Sequence, residues 1–276
     1  MNKTTLTLVL VLLVGAATGV YFWQQSSPPA APPQEPAKVE LAVTAPATAA
    51  TPITPAPGAA PASNHYPVPA GADTKALPAL NASDPALWDA LSTLLGRAQV
   101  LQFFRAQEIV RNIVVTIDNL PRQTAAAKLL PLKPVAGTLR TEEIAGKRTI
   151  APANATRYDQ YVLFADQLDA RAVVKLYIEH YPLFQRAYQD LGYPDAYFND
   201  RLIAVIDHLL QAPASDAPAA LIQPHIVYKF ADPRLEARSS GHKMLLRMGN
   251  AHANRIKSKL REIRAALIEQ APQQAL

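Results

Sequence analysis

An uncharged apolar segment near the N-terminus is the feature that most constrains what this chain can fold into. Thr5 to Trp23 is a run of 19 residues without a charged side chain, and it closes on the aromatic residues Tyr21, Phe22 and Trp23. Its length matches the roughly 20 apolar residues that a helix needs to cross a bilayer, and aromatic residues are typical of the membrane interface. We therefore predict one transmembrane helix within residues 1–23.

A cleaved signal peptide is the alternative for the same segment, because Gly15, Ala16 and Ala17 offer small residues at a cleavage-like spacing. An uncleaved anchor is favoured because the apolar run is longer than the roughly 7–15 residues of a cleavable core. Lys3 precedes the segment, and no charge follows it until Glu35. The positive-inside rule therefore predicts a cytoplasmic N-terminus, with the rest of the chain on the other side of the membrane.

A proline- and alanine-rich stretch follows the predicted anchor. Of the 25 prolines, 13 lie between Pro28 and Pro78. Such a sequence has too few large side chains to offset the entropy of ordering the chain, so residues 24–82 are predicted to be a disordered tether. A proline-rich ligand motif is disfavoured because the prolines lack flanking basic residues. We expect this tether to contribute nothing to the stability of the fold.

The folded domain is predicted to span residues 83–276. Ser83, Asp84 and Pro85 form a typical helix start. Beyond them, apolar residues recur mostly at helical spacing, which predicts a mainly α fold, an irregular helical bundle. Residues 131–155 are expected to be irregular, and residues 226–230 fit a short strand without an evident partner. The predicted helices are 86–95, 100–119, 158–168, 170–191 with a break at Pro182, 195–210 and 241–270.

The last predicted helix is long and amphipathic. Its apolar stripe contains Leu245, Met248, Ile256, Leu260 and Ile263. The net charge of +5 arises from residues 242–276, which hold seven Lys or Arg and two Glu. A basic stripe fits binding to anionic lipid or an anionic polymer, but the solvated face of a packed helix is the favoured interpretation. The basic candidate residues are Lys243, Arg247, Lys257, Arg261 and Arg264.

Aromatic residues are concentrated in the middle of the domain. Ten of the 19 aromatic residues lie between Tyr158 and Phe198. Tyr177, Tyr181, Phe184 and Tyr188 recur on one helix face. They suit a ligand groove that includes Tyr188, and they also suit packing between helices.

A polar cluster at Asn199, Asp200, Asp207 and His208 is the candidate site for chemistry. Asp200 and Asp207 share a helix face, which raises the hypothesis of an acid/base or metal site. His208, however, points about 100° away from its neighbour Asp207, and Asp200 equally suits an ion pair with a nearby arginine. The chain has no cysteine, and it lacks P-loop, GxGxxG and GxSxG motifs. No catalytic residue, metal or cofactor is therefore predicted.

Several multi-residue blocks of the domain carry a resemblance to a known family. They are Arg157-Tyr158, Ala187-Tyr188, Ile117–Arg122, Pro182–Gln185, Leu191–Pro194, Phe198–Leu202, Asp207–Leu210, Tyr228–Pro233 and Lys243–Gly249. Over about residues 85–268 the chain resembles the domain of unknown function 3014 family. The resemblance implies a bacterial protein with an N-terminal anchor and a Pro/Ala-rich tether, hence a single-pass inner-membrane protein with its domain in the periplasm. It implies no activity, ligand or catalytic residue.

These features predict a membrane-tethered, non-enzymatic module of the cell envelope. It is expected to contact the membrane through residues 5–23 and to bind a protein partner or an anionic envelope polymer. Nucleic acid is not expected, because the predicted location is outside the cytoplasm. The alternative is an envelope hydrolase that uses Asp200, Asp207 and His208. Convergence of these three groups in a cleft would favour the hydrolase, and pairing with arginines would favour the structural interpretation.

Overall fold

The computed structural model describes residues 65–69, 77–124, 129–214 and 218–271. The predicted anchor, residues 1–23, and most of the predicted tether, residues 24–82, lie outside the described residues. Within the described ranges, no helix is both long and apolar enough to cross a membrane. The transmembrane helix therefore stays a prediction.

The domain is mainly α-helical, as predicted, and short 3-10 helices at Leu80–Ala82 and Pro152–Tyr158 complete it. In the part of the chain that the structure describes, ten α-helices follow one another. They are α1 Asp84–Leu95, α2 Arg97–Phe103, α3 Ile109–Asn119, α4 Asp159–Asp166, α5 Ala170–Glu179, α6 Tyr181–Asp190, α7 Phe198–Leu210, α8 Pro233–Glu236, α9 Ser240–Met248 and α10 Asn250–Gln270.

Two small antiparallel hairpins supplement the helices. The strands β1, Thr141–Ile144, and β2, Lys147–Ile150, form the first, in a region expected to be irregular. Their two-residue turn has positive φ at both Ala145 and Gly146, a geometry that matches the twist of a hairpin. The second hairpin joins β3, Leu221–Ile222, to β4, Lys229–Phe230. β3 is thus the partner that the predicted strand at 226–230 lacked.

The long helix α10 packs against α4, α5, α7 and α9, while α3 packs against α6 and α7. This arrangement gathers the apolar side chains of most helices into one core cluster. The prediction for the apolar stripe of the last helix is confirmed, since all of its named members are buried. They are Leu245, Met248, Ile256, Leu260 and Ile263.

The predicted helix 241–270 is wrong in one respect, because it consists of two helices. Gly249 ends α9 and precedes α10 with φ 83° and ψ 157°. That left-handed φ is accessible to glycine at little cost and interrupts the helical hydrogen bonds. The basic and apolar stripes drawn through 241–270 therefore do not continue in a single register.

The predicted helix 100–119 is also divided, into α2 and α3. Phe104 leaves the helix to form a β-bridge with Leu132. The two oxygens of the Asp84 carboxylate accept hydrogen bonds from the N–H groups of Glu108 (2.7 Å) and Ile109 (2.9 Å). This distant residue therefore satisfies N–H groups at the start of α3 and fixes where α3 begins. The prediction that residues 113–117 are helical is confirmed.

We predict that Leu260→Ala lowers the free energy of unfolding by about 2–5 kcal/mol, because a buried leucine is lost and a cavity remains. Leu260 is 1 % exposed, whereas Leu163 on α4 is 52 % exposed. Leu163→Ala is therefore the matched control, with an expected change within about 0.5 kcal/mol. Urea unfolding of both variants measures the difference. Equal effects would contradict the placement of α10 in the core.

Candidate functional site

The N-terminus of α7 holds a short segment of the same chain, His65–Pro69. The Asp200 carboxylate accepts a hydrogen bond from the His65 N–H at Oδ2 (3.0 Å) and from the Tyr66 N–H at Oδ1 (2.9 Å). The Asn199 Nδ2 donates to the Tyr66 carbonyl oxygen (2.8 Å). Two adjacent side chains thus bind three main-chain groups of two consecutive residues. We call the pair of side chains Asn199 and Asp200 the α7 clamp.

The α7 clamp is held in place from α6. The Gln185 side chain accepts a hydrogen bond from the Phe198 N–H (2.9 Å) and donates one to the Ala196 carbonyl (2.7 Å). These two bonds fix the entry of α7, in which Asn199 is buried at 2 % exposure. Asp200 lies in the first turn of α7, where the partial positive charge of the helix end favours a carboxylate.

The Tyr66 side chain also contacts the domain. It is partly buried and packs against the hydrophobic core. Arg264 of α10 pairs with Asp207 of α7 (Nη2 to Oδ2, 3.1 Å), and this hydrogen bond raises the pKa of Arg264. Two of the predicted site residues, Asp207 and Arg264, therefore pair with each other.

These contacts differ from the spacer interpretation, in which no residue before Ser83 packs against the domain. Leu77 and Leu80 also pack against the core, and Leu80–Ala82 forms a 3-10 helix beside α6. Sequence reasoning missed Tyr66, although one signal was present. It is the only aromatic residue between residues 24 and 82.

A buried carboxylate lies next to the α7 clamp. Asp118 of α3 is 2 % exposed, and its Oδ1 accepts a hydrogen bond from Arg201 Nε (3.0 Å). Its Oδ2 accepts from Arg122 Nη2 (2.6 Å) and from the Tyr193 hydroxyl (3.3 Å). Because Arg201 directly follows Asp200, this network anchors the first turn of α7 to the end of α3. Sequence reasoning assigned Asp118 no role, although it lies in the quoted block Ile117–Arg122.

The predicted basic stripe is not a continuous exposed surface. Lys243 and Lys257 are buried. The Lys257 Nζ donates to the carbonyl of Ala212, just beyond the end of α7, where the helix dipole favours a cation. The Lys243 Nζ donates to the carbonyl (3.1 Å) and to the carboxylate (3.3 Å) of Glu236. The exposure expected for the stripe is therefore wrong for both lysines.

The arginines of the stripe differ from one another. The Arg247 guanidinium lies over the ring of Phe230, 5.4 Å from its centroid, and burial lowers its pKa. Arg264 is half-buried in its pair with Asp207. Arg261 is exposed, as predicted. Of the five predicted basic residues, only Arg261 is exposed.

We predict that Lys257→Ala lowers the free energy of unfolding by about 1–3 kcal/mol, because it removes a charged hydrogen bond and leaves the Ala212 carbonyl without its partner. Lys257→Met keeps most of the apolar stem, so it separates the hydrogen bond from the packing. Arg261→Ala is the control, with an expected change within about 0.5 kcal/mol. Urea unfolding gives all three values, and equal values for Lys257→Ala and Arg261→Ala would contradict this assignment.

His208 faces a second histidine rather than the acidic residues. Its Nε2 forms a hydrogen bond with the Ser239 hydroxyl (2.8 Å). Its ring stacks on that of His242, with 4.1 Å between centroids, and the His242 Nε2–H donates to the His208 carbonyl (2.6 Å). Asp200, Asp207 and His208 therefore engage three different partners and do not converge. Across the described ranges, no group of three or more His, Asp or Glu side chains is placed to hold a metal ion.

Burial lowers the pKa of both stacked histidines from the ordinary value of 6.5, and the proximity of His242 lowers that of His208 further. The unfolded chain therefore takes up these protons near pH 6.5, at a higher pH than the folded protein does. The free energy of unfolding therefore has its full value, as far as these two histidines are concerned, above about pH 6.5. It decreases progressively as the pH falls from there to the pKa values that the two histidines have in the folded protein.

We predict that the double variant His208→Gln, His242→Gln shows a smaller loss of unfolding free energy than the wild type between about pH 7.5 and pH 5. The comparison uses the slope against pH, so a general destabilisation by the substitutions does not affect it. His225→Gln, in an exposed loop, is the control and should retain the wild-type slope. A wild-type slope in the double variant would contradict the role of the pair.

The predicted aromatic face lies in the core. Tyr188 is buried and stacks on Tyr193 at 4.6 Å between centroids, and burial raises its pKa to about 12. Tyr177, Phe184 and Phe198 pack against one another in the same region. The packing interpretation of this face is therefore the one that agrees with the structure, and the Tyr188 ring also packs against Phe198, the first residue of α7, with 5.6 Å between ring centroids.

Residues 109–264 match the model of a protein family described as "Protein of unknown function (DUF3014)". The match runs from the start of α3 into α10, so it includes Asp118, the α7 clamp and Arg264. Among curated proteins and among solved structures, nothing matches.

Proposed function

The chain belongs to the DUF3014 family, and from that premise we propose that it is a membrane-tethered, non-enzymatic module that binds a protein partner in the cell envelope. One observation carries the proposal: the α7 clamp holds a separate segment of the chain through its main chain. Main-chain N–H and C=O groups are common to all polypeptides. The surface at the start of α7 is thus chemically suited to a segment of another protein.

The bonds of the α7 clamp are of a strong kind. Two of the three are hydrogen bonds from N–H groups to an ionised carboxylate, and such charge-assisted bonds are roughly twice as strong as neutral ones. Because Gln185 and Asp118 fix the helix start on both sides, the groups need little reorganisation on binding. Pre-organisation of this sort favours affinity.

The two alternatives receive less support from the geometry. An anionic polymer would need accessible cations, whereas Lys243 and Lys257 are buried and Arg264 is paired with Asp207. A hydrolase would need convergent acid/base groups, whereas Asp200, Asp207 and His208 contact separate partners. A protein partner is therefore the occupant that we favour.

The tethering part of the proposal rests on the sequence. We expect one span within residues 5–23, in the inner membrane, with the domain in the periplasm. Protease added to cells with a permeabilised outer membrane should remove the domain, and high salt should leave the protein in the membrane fraction. Protection of the domain would contradict the orientation, and release by salt would contradict the anchor.

A photo-crosslinking experiment tests partner binding. Tyr197 is 38 % exposed and directly precedes the first turn of α7. A photoreactive phenylalanine analogue at this position in the full chain, in its native cells, should form an adduct with a second protein. The same analogue at Leu163, which is exposed on α4, is the control and should not form that adduct.

The substitution Asp200→Ala should reduce the adduct at position 197, because it removes the acceptor of two hydrogen bonds. Mass spectrometry of the adduct distinguishes a protein from a polysaccharide. An adduct with polysaccharide alone, or the same protein adduct at positions 197 and 163, would contradict the proposal.

A further inference from the structure

We infer that His65–Pro69 is a built-in ligand of the α7 clamp, and that the partner's segment is a peptide of the same kind: a non-proline residue, an aromatic residue, then proline. This inference rests on the proposed function and specifies what the site recognises. The bound segment shows the chemistry directly. It uses two main-chain donors, one main-chain acceptor and the Tyr66 ring, and the His65 Nδ1 lies 3.6 Å from the Asp200 Oδ2.

The hydrogen bonds define which residues fit at each position. Both N–H groups bound by Asp200 belong to consecutive residues, so neither residue can be a proline. The next residue in the chain is Pro67, which has no N–H group. Proline also disfavours helical conformations for the residue before it, which restricts the backbone of Tyr66; the chain bends at His65 and Tyr66. The site therefore recognises two consecutive residues that each have a main-chain N–H group, followed by a proline, which has none.

The aromatic position is bound through its side chain as well. Tyr66 is partly buried and packs against the hydrophobic core. An aromatic ring buries a large apolar area when it packs in this way. The site therefore favours an aromatic residue over a small or charged side chain at this position.

One acceptor of the α7 clamp is not used by the built-in segment. The Asn199 Oδ1 is buried and has no hydrogen-bond partner within the described residues, although the same amide donates to Tyr66 through Nδ2. An unpaired buried acceptor is unfavourable. A partner peptide that supplies a donor at this point binds better than the built-in segment. The site is thus able to exchange its own segment for the partner's.

The built-in segment competes with the partner because it is part of the same chain. Only residues 70–76 separate it from Leu77, which packs on the domain. A short connection of this kind gives an effective concentration in the millimolar range. A partner peptide consequently needs a higher concentration to bind the wild-type chain than to bind a chain without the segment.

Peptide binding to two forms of the full-length protein in detergent tests this inference. The open-site variant replaces His65–Pro69 with a Gly/Ser sequence of equal length. The probe is a fluorescent peptide with the sequence of residues 62–71. We expect the probe to bind the open-site variant and to bind the wild type at least about tenfold more weakly, as read by fluorescence anisotropy. Equal binding to both forms would overturn the built-in occupancy.

Matched changes in protein and probe test the recognition. In the open-site variant, Asp200→Ala should weaken binding at least about tenfold, whereas Asp190→Ala on α6 should leave it unchanged. N-methylation of the probe at the Tyr66 nitrogen removes a donor and should weaken binding similarly. N-methylation at the Val68 nitrogen should not, because that N–H donates no hydrogen bond in the described residues. No binding, or binding insensitive to Asp200→Ala, would overturn the ligand assignment.

Hydrogen exchange gives a second measurement if the open-site variant does not fold. The amides of His65 and Tyr66 should be protected in the wild type and unprotected in the Asp200→Ala variant. Absence of protection in the wild type would overturn the inference.

The two experiments separate this inference from the proposed function. If no protein adduct forms at position 197 in cells while the probe peptide still binds, only the proposed function is refuted. A protein adduct without probe binding refutes only the peptide assignment.

Discussion

The buried carboxylate of Asp118 is the interaction on which the rest of the domain depends. It joins the end of α3 to the first turn of α7 through Arg201 and to the α6–α7 loop through Tyr193. The carbonyl groups just after α3 then receive the N–H groups of Ser240 (2.7 Å) and Gly241 (3.0 Å) at the start of α9. A buried charge is tolerated only when its partners are in place, so Asp118 fixes the end of α3 against the start of α7, and the carbonyls of Leu120 and Arg122 then join this end of α3 to α9.

The parts of the fold that follow from local pattern were predicted well. The helical character of residues 113–117, the break at Pro182 and the buried stripe of the last helix all depend on neighbours in the sequence. The parts that were missed depend on distant groups. Asp84 sets the start of α3, and β3 pairs with β4 across a loop, so neither is visible in a window of a few residues.

The candidate site shows the same division. Asn199, Asp200 and Asp207 are a polar group on one helix, for which the sequence left a metal, an acid/base role and an ion pair with arginine open. Asp207 does pair with Arg264, but an earlier segment of the chain was not considered as the ligand of Asn199 and Asp200. Tyr66 was missed because the composition around it is that of a spacer. Lys243 and Lys257 were misjudged because periodicity gives the direction of a side chain and not its reach. A lysine stem can bend to a carbonyl at the end of a neighbouring helix.

Docking of His65–Pro69 also affects how far the domain extends from the membrane. For a chain anchored as we propose, the connection between the bilayer and the domain ends at residue 65 while the segment is bound. When the segment is released, the connection continues to Leu77. Twelve further residues add at most about 40 Å to the fully extended length. Exchange of the segment for a partner would therefore change the depth of the envelope that the domain can reach.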